Sequence, residues 1–335
     1  MAIYRKIKGQ TISNLASDPP ASANTAGQVW YNTTSGTLKA VLDGGAPGGT
    51  WASGGDLVVA KSQAAGFGTT SAGGAAMGYT APSVIQATYE VYDGTSWTES
   101  TDINTAGRNG RGTGTTTAGL VFGGWPRSGA TEEWNGTSWT ETADQTRGAT
   151  ASQSQAAMGT NTATLAAGGE PGTTGFQYVE TWNGTSWTEV ADLNTGRQAA
   201  SGFGTTTAGF VISGYSPPAS PALVANVESW NGTSWTETTD ITTARFEAGA
   251  SGNTTAGIIY SGTDGSETAV TEYWNGSAWT EVADLATGRT QFAYNSNPST
   301  GSANAFAAGG KTPAVVATTE EWSAPDYLIK TVTTS

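Results

Sequence analysis

The chain has 335 residues, 14 Lys+Arg against 27 Asp+Glu and a net charge of −13, a balance that repels a phosphate backbone and argues against nucleic-acid binding. It contains no histidine and no cysteine, which excludes thiolate or imidazole zinc sites, Ser-His and Cys-His nucleophiles, thiol redox chemistry and disulfides; no metal or cofactor is expected. No apolar run reaches the roughly 20 residues of a membrane-spanning helix.

Residues 1 to 50 stand outside the pattern that follows. They open with Met1-Ala-Ile-Tyr-Arg-Lys-Ile-Lys, which lacks the apolar core of a secretory signal, so synthesis in a cytoplasm without export by that route is expected. A Pro/Ser/Ala stretch from Ser17 leads to Gln28-Val-Trp-Tyr-Asn-Thr-Thr-Ser-Gly-Thr-Leu-Lys-Ala-Val41, which reads as a β-hairpin.

After about residue 60 one motif recurs: Tyr92-Asp-Gly-Thr-Ser-Trp97, Trp134 to Trp139, Trp182 to Trp187, Trp230 to Trp235 and Trp274-Asn-Gly-Ser-Ala-Trp279, with a degenerate sixth copy at Trp322. Each unit of about 45 residues reads as four short strands, a to d. Strand a follows a basic residue, taken here as Lys61, Arg108, Arg147, Arg197, Arg245 and Arg289. Strand b is an apolar run ending in glycine, as in Leu120-Val-Phe-Gly-Gly124. Strand c carries a glutamate two residues before its aromatic (Glu90, Glu132, Glu180, Glu228, Glu272, Glu320), hence on the same face. Asn-Gly or Asp-Gly then favours a tight hairpin into strand d, which begins at Trp97, Trp139, Trp187, Trp235 or Trp279.

Four antiparallel strands repeated radially describe a β-propeller. The basic residue before strand a, the glycine pair ending strand b, the Glu-x-aromatic of strand c and the Trp of strand d together resemble the kelch family. The expected fold is all-β, a six-bladed kelch-like β-propeller over residues 51–335, with residues 1–50 as a small N-terminal hairpin and extended docking segment. Only five Trp-led d strands lie between residues 97 and 279. Trp51, followed at plus five by Asp56 as the others are by Asp102, Asp144, Asp192, Asp240 and Asp284, is expected to supply the sixth by pairing with the Trp322 strand. The competing closure uses Tyr327-Leu-Ile-Lys-Thr-Val.

A residue type repeated once per blade points to a per-blade ion pair or turn support rather than to one catalytic constellation, and no single blade departs at these positions. The same reasoning assigns the tryptophans to packing between blades, the Asn-Gly segments to turns although four match glycosylation sequons, and the plus-five aspartates to loop capping rather than calcium. The a–b and c–d turns are near copies, whereas the b–c loops differ in length and chemistry. Binding is therefore expected on the b–c loop face, through Trp125, Arg127, Phe176, Tyr215 and Lys311.

The Trp-Tyr-Asn hairpin, together with the Trp-Asn-Gly-Thr-Ser-Trp propeller, resembles segments of bacteriophage tail-fibre and other virion proteins of marine viruses. That resemblance implies a non-enzymatic virion structural protein, assembled in a host cytoplasm and acting outside cells. It would be multi-copy, docked to other virion proteins through its N-terminal segment, and would present the propeller to a host-surface glycan or protein or to a neighbouring subunit. A glycan-cleaving propeller enzyme, which would need a carboxylate pair in one cleft, and an intracellular kelch interaction scaffold are the alternatives.

Overall fold

The computed structural model describes residues 12–19, 28–43, 49–127, 129–146, 153–169, 177–216, 222–296, 304–324 and 327–332. Their strands form seven four-stranded sheets, six of them antiparallel and one mixed. In blade 1, strands a to d are Ala65–Thr69, Ala72–Thr80, Val84–Tyr92 and Trp97–Glu99. The same order starts again at Arg111–Thr115, Ala156–Thr160, Ser201–Gly204, Gly249–Asn253 and Ala293–Tyr294. Each strand a lies beside strand a of the next blade, and that of blade 6 beside that of blade 1, so the ring is closed.

Closure uses the Trp51 strand. Thr50–Ser53 pairs antiparallel with Thr319–Ser323 in the register Trp322↔Trp51, completing blade 6. The Tyr327 strand goes elsewhere: Tyr327–Thr331 pairs with Thr37–Asp43 and becomes the edge of the mixed sheet, in the order Ser13–Leu15, Val29–Asn32, Thr37–Asp43, Tyr327–Thr331. Of the expected propeller range 51–335, the strand Tyr327–Thr331 thus pairs with the N-terminal hairpin and not with a blade. A terminal strand added to the free edge of that hairpin hides the backbone groups the edge would otherwise expose.

The expected hairpin between Val29–Asn32 and Thr37–Asp43 is present. Asp18 ties it to the preceding segment by accepting hydrogen bonds from Trp30 Nε1 at 3.0 Å and Asn32 Nδ2 at 2.6 Å.

Within every blade the aromatic ending strand c sits directly opposite the Trp opening strand d. The ring pairs lie 5.0–5.6 Å apart: Tyr92–Trp97, Trp134–Trp139, Trp182–Trp187, Trp230–Trp235, Trp274–Trp279 and Trp322–Trp51. The Asn or Asp between them accepts backbone N–H bonds from residues two and three further on, as Asn135 does from Thr137 and Ser138 at 2.9 Å, while Gly136 takes φ +91°. Each strand-d indole also reaches back to the preceding blade: Trp97 Nε1 donates to Thr319 Oγ1, Trp187 to Thr131 Oγ1 and Trp51 to Thr271 Oγ1, all at 3.0 Å. Trp97, Trp139, Trp187, Trp235 and Trp279 are buried, so these rings pack blade on blade.

Candidate functional site

The glutamate of strand c organises the loop that enters its own blade. Glu228 accepts from the backbone N–H of Asn194 at 2.8 Å and of Thr195 at 3.1 Å, and from Arg197 Nη2 at 2.5 Å. Lys61–Glu90, Arg245–Glu272 and Arg289–Glu320 repeat the ion pair at 3.0, 2.9 and 2.6 Å, and all of these side chains are buried or nearly so. Burial pushes the Lys61 ammonium and the Arg197, Arg245 and Arg289 guanidinium groups down from their ordinary values, and the paired glutamate pulls each back up. These carboxylates are spent on structure.

Blade 2 departs from the pattern. Glu132 pairs with Arg127, at 3.0 Å, and not with Arg108. The cause is a one-residue offset. Lys61, Arg197 and Arg245 each precede strand a by four residues (Ala65, Ser201, Gly249), and the residue four before Arg111 is Gly107. A side chain at Gly107 would collide with Arg127, whose Cδ lies 2.4 Å from the position of a Cβ there. Arg127 thus folds in from the b–c loop and fills the space the missing basic side chain leaves.

Arg108, displaced by one position, points the other way. Its backbone bridges to Trp125, and its guanidinium carbon lies 5.3 Å from the ring centre of Tyr79 and 5.1 Å from that of Trp125. Its Nη1 donates to Gln63 Oε1 at 3.4 Å, and among the described residues it has no ion-pair partner.

The bridge Arg108↔Trp125 has counterparts in Ser62↔Tyr79, Gln198↔Tyr215, Phe246↔Thr263 and Thr290↔Lys311. Tyr79, Trp125, Tyr215, Thr263 and Lys311 therefore occupy one equivalent position, just after the strand-b glycines, and form a ring on the b–c face. Trp125 is 44% and Tyr215 37% exposed, which is unusual for large rings in a protein whose other propeller tryptophans are mostly buried.

Inside that ring lies a collar about the axis. Gln63, Asn109, Ser154, Ala199, Glu247 and Gln291 all have φ between +51° and +58°. Around it, the backbone N–H of Asn109 donates to Gln63 O, Ser154 to Asn109 O, Ala199 to Ser154 O and Glu247 to Ala199 O, at 2.8–2.9 Å, and Gln63 donates to Gln291 O at 2.5 Å. These bonds offset the cost of left-handed backbone in non-glycine residues, about 1–2 kcal/mol each. Below the collar Arg111 stacks on Tyr294 at 5.7 Å, leaving an axial cavity of about 20 Å³. That is room for about one water.

No protein-family model and no curated protein matches the sequence. Among solved structures the chain is similar to YjhT, a kelch-repeat β-propeller protein, at 12% identity and a TM-score of 0.60, covering 82% of this chain and 99% of YjhT. The fold is a kelch-type β-propeller. At this identity the likeness speaks to fold alone.

On this kelch-type propeller, Trp125, Tyr215 and Lys311 share the exposed ring, as the loop argument expected of residues in b–c loops. Arg127 does not: it is 4% exposed and holds the blade-2 ion pair, so it is corrected from binding residue to structural residue. Arg108 is corrected in the opposite sense, from structural ion pair to a half-buried stack on Tyr79 and Trp125. Arg197, Arg245 and Arg289 are in the expected pairs; Arg147 and Phe176 lie outside the described residues. Sequence reasoning missed Tyr79 as the partner of Arg108, and Gln198, Phe246 and Glu247 around Tyr215. The signal for Arg108 was present: Lys61, Arg197 and Arg245 each stand seventeen residues before the second strand-b residue of the turn (Gly78, Gly214, Gly262), and the same count back from Gly124 lands on Gly107.

Proposed function

We propose that this protein is a non-enzymatic binding propeller, a tail-fibre or surface component of a virion whose b–c face contacts a glycan or protein on a host surface or on a neighbouring subunit. The observation that carries the reading is the break in repeat symmetry at blade 2. Five strand-c glutamates are held in buried ion pairs, while Arg108 is left out of them and lies half-buried on the b–c face between Tyr79 and Trp125. Arg, Trp and Tyr are the side chains that dominate binding hot spots, because each combines a broad apolar face with polar edges. A buried role for the strand-c carboxylates favours this over a glycan-cleaving enzyme, which needs two carboxyl groups facing one cleft about 5–10 Å apart.

The N-terminal hairpin supports attachment to a larger particle, where weak contacts are multiplied by copy number. Two experiments test the proposal: immunodetection of the protein in purified virions, and binding of the full-length protein to a panel of bacterial cells. Saturable cell binding that falls at least tenfold in a Trp125→Ala, Arg108→Ala double variant supports it. Equal binding by the variant, or hydrolysis of envelope polysaccharide lost on changing a single strand-c glutamate, contradicts it.

A further inference from the structure

The interface of blades 4 and 5 carries a groove on the b–c face. Its lining is Gln198, Ala199, Tyr215, Phe246 and Glu247, and its volume is about 250 Å³. Three departures from the repeat create it. At the collar, Ala199 stands where blades 1 and 6 place Gln63 and Gln291 and blade 2 places Asn109, so the floor is open. Glu247 brings a carboxylate to a collar whose other members are amides, a serine and an alanine. Phe246 supplies a ring at the position held elsewhere by Ser62, Arg108, Gln198 and Thr290, and it packs at 6.0 Å and 52° against Tyr215.

We infer that this groove is a subsite for a single uncharged hexopyranose unit of a polysaccharide, an inference that rests on the proposed use of the b–c face for binding. The groove is smaller than the roughly 300–1,000 Å³ of pockets for drug-sized ligands, which suits one ring. Tyr215 is backed by Phe246 and offers one partly exposed aromatic surface, the complement of the C–H face of a pyranose. Around it stand an amide that both donates and accepts, Gln198, and a carboxylate that accepts, Glu247. Gln291 Nε2 donates to Glu247 Oε1 at 2.9 Å, which holds that carboxylate at the groove's edge. Charge selects among sugars: Glu247 on a chain of net charge −13 repels a carboxylate- or sulfate-bearing unit. A lysine or arginine side chain, which a carboxylate beside one aromatic face would also attract, is the competing occupant that the test below separates.

The test titrates full-length protein with methyl α-D-glucoside, methyl α-D-mannoside and methyl β-D-galactoside, with sodium glucuronate and an acetylated lysine amide for comparison, following backbone amide shifts by NMR. At least one neutral glycoside should bind with a Kd on the order of millimolar, shift the amides of Gln198, Tyr215 and Glu247, and bind at least fivefold more tightly than glucuronate. Ala199→Gln fills the floor with the side chain that blades 1 and 6 already tolerate there, and should weaken binding at least tenfold, as should Tyr215→Ala. Thr137→Ala, on the opposite face, should leave it unchanged. Undiminished binding by Ala199→Gln, preference for glucuronate or the lysine amide, or no glycoside binding at all overturns the inference. Cell binding that depends on Trp125 and Arg108 while no glycoside shifts the groove would remove this subsite and leave the proposed function standing; glycoside binding without cell binding would do the reverse.

Discussion

Arg108 and Arg127 show how one residue of offset changes a side chain's job. Backbone alternation sends neighbours to opposite sides, so a basic residue one place late misses its glutamate and emerges at the surface. The ion pair is then rebuilt from the b–c loop, with Gly107 leaving the room. Removing one partner of a buried pair leaves an uncompensated charge, so Arg127→Gln should lower stability by about 3–5 kcal/mol. Arg108→Ala, at a partly exposed stack, should cost under about 1 kcal/mol. Chemical denaturation of the two variants checks the exchange; equal losses would refute it. Both arginines stand out in the sequence, yet each takes the role expected of the other, because the repeat position is set by its distance from the strand-b glycines and not by the nearest basic residue.

At the scale of the element, the c–d hairpin is a turn whose chemistry was fully readable. Asp93 accepts from Thr95 and Ser96 N–H at 2.8 Å, and Asn135 makes the same two bonds at 2.9 Å, so Asn135→Asp should change stability by under about 0.5 kcal/mol. Gly136→Ala should cost about 1–2 kcal/mol, because φ is +91° and the new Cβ would lie 3.3 Å from Thr117 O. The backbone N–H groups of Ser96 and Thr95 hold the Asp93 carboxyl below its ordinary value of 3.8. A carboxyl whose folded value is depressed stabilises above its unfolded pKa and loses that contribution as pH falls through the folded value. Asp93→Asn should therefore unfold with a shallower acid dependence below about pH 4, measured by melting temperature against pH; an unchanged profile would contradict this assignment. The collar was not legible in the same way. Left-handed backbone at Gln63, Asn109, Ser154, Ala199, Glu247 and Gln291 follows from hydrogen bonds between blades, and no local residue type announces it.

For the whole molecule, period and strand count sufficed to place six blades and the Trp51 closure, since five Trp-led d strands leave one sheet incomplete. The destination of Tyr327–Thr331 was not decided by pattern, because an apolar β-run pairs with any free edge of suitable register, and the hairpin edge at Thr37–Asp43 offered one. Closure should be worth a measurable share of stability. Trp51 contacts Tyr260 at 4.8 Å and Trp322 at 5.6 Å and donates to Thr271, so Trp51→Ala should cost about 3 kcal/mol and reduce the cooperativity of unfolding. A loss below that of an exposed substitution would argue that the ring holds without it.

The two faces of the ring differ in kind: copied turns on one, and on the other the exposed Trp125, Tyr215 and Lys311 with half-buried Tyr79 around the collar. Their roles are separated most directly by measuring cell binding of the full-length protein beside two variants, Arg108→Ala/Trp125→Ala/Tyr215→Ala on the b–c face and Thr137→Ala/Thr233→Ala on the turn face, each confirmed folded by its melting curve. The account predicts saturable binding that the first variant loses by at least tenfold and the second retains. Binding retained by the first variant, or lost in the second, would contradict it.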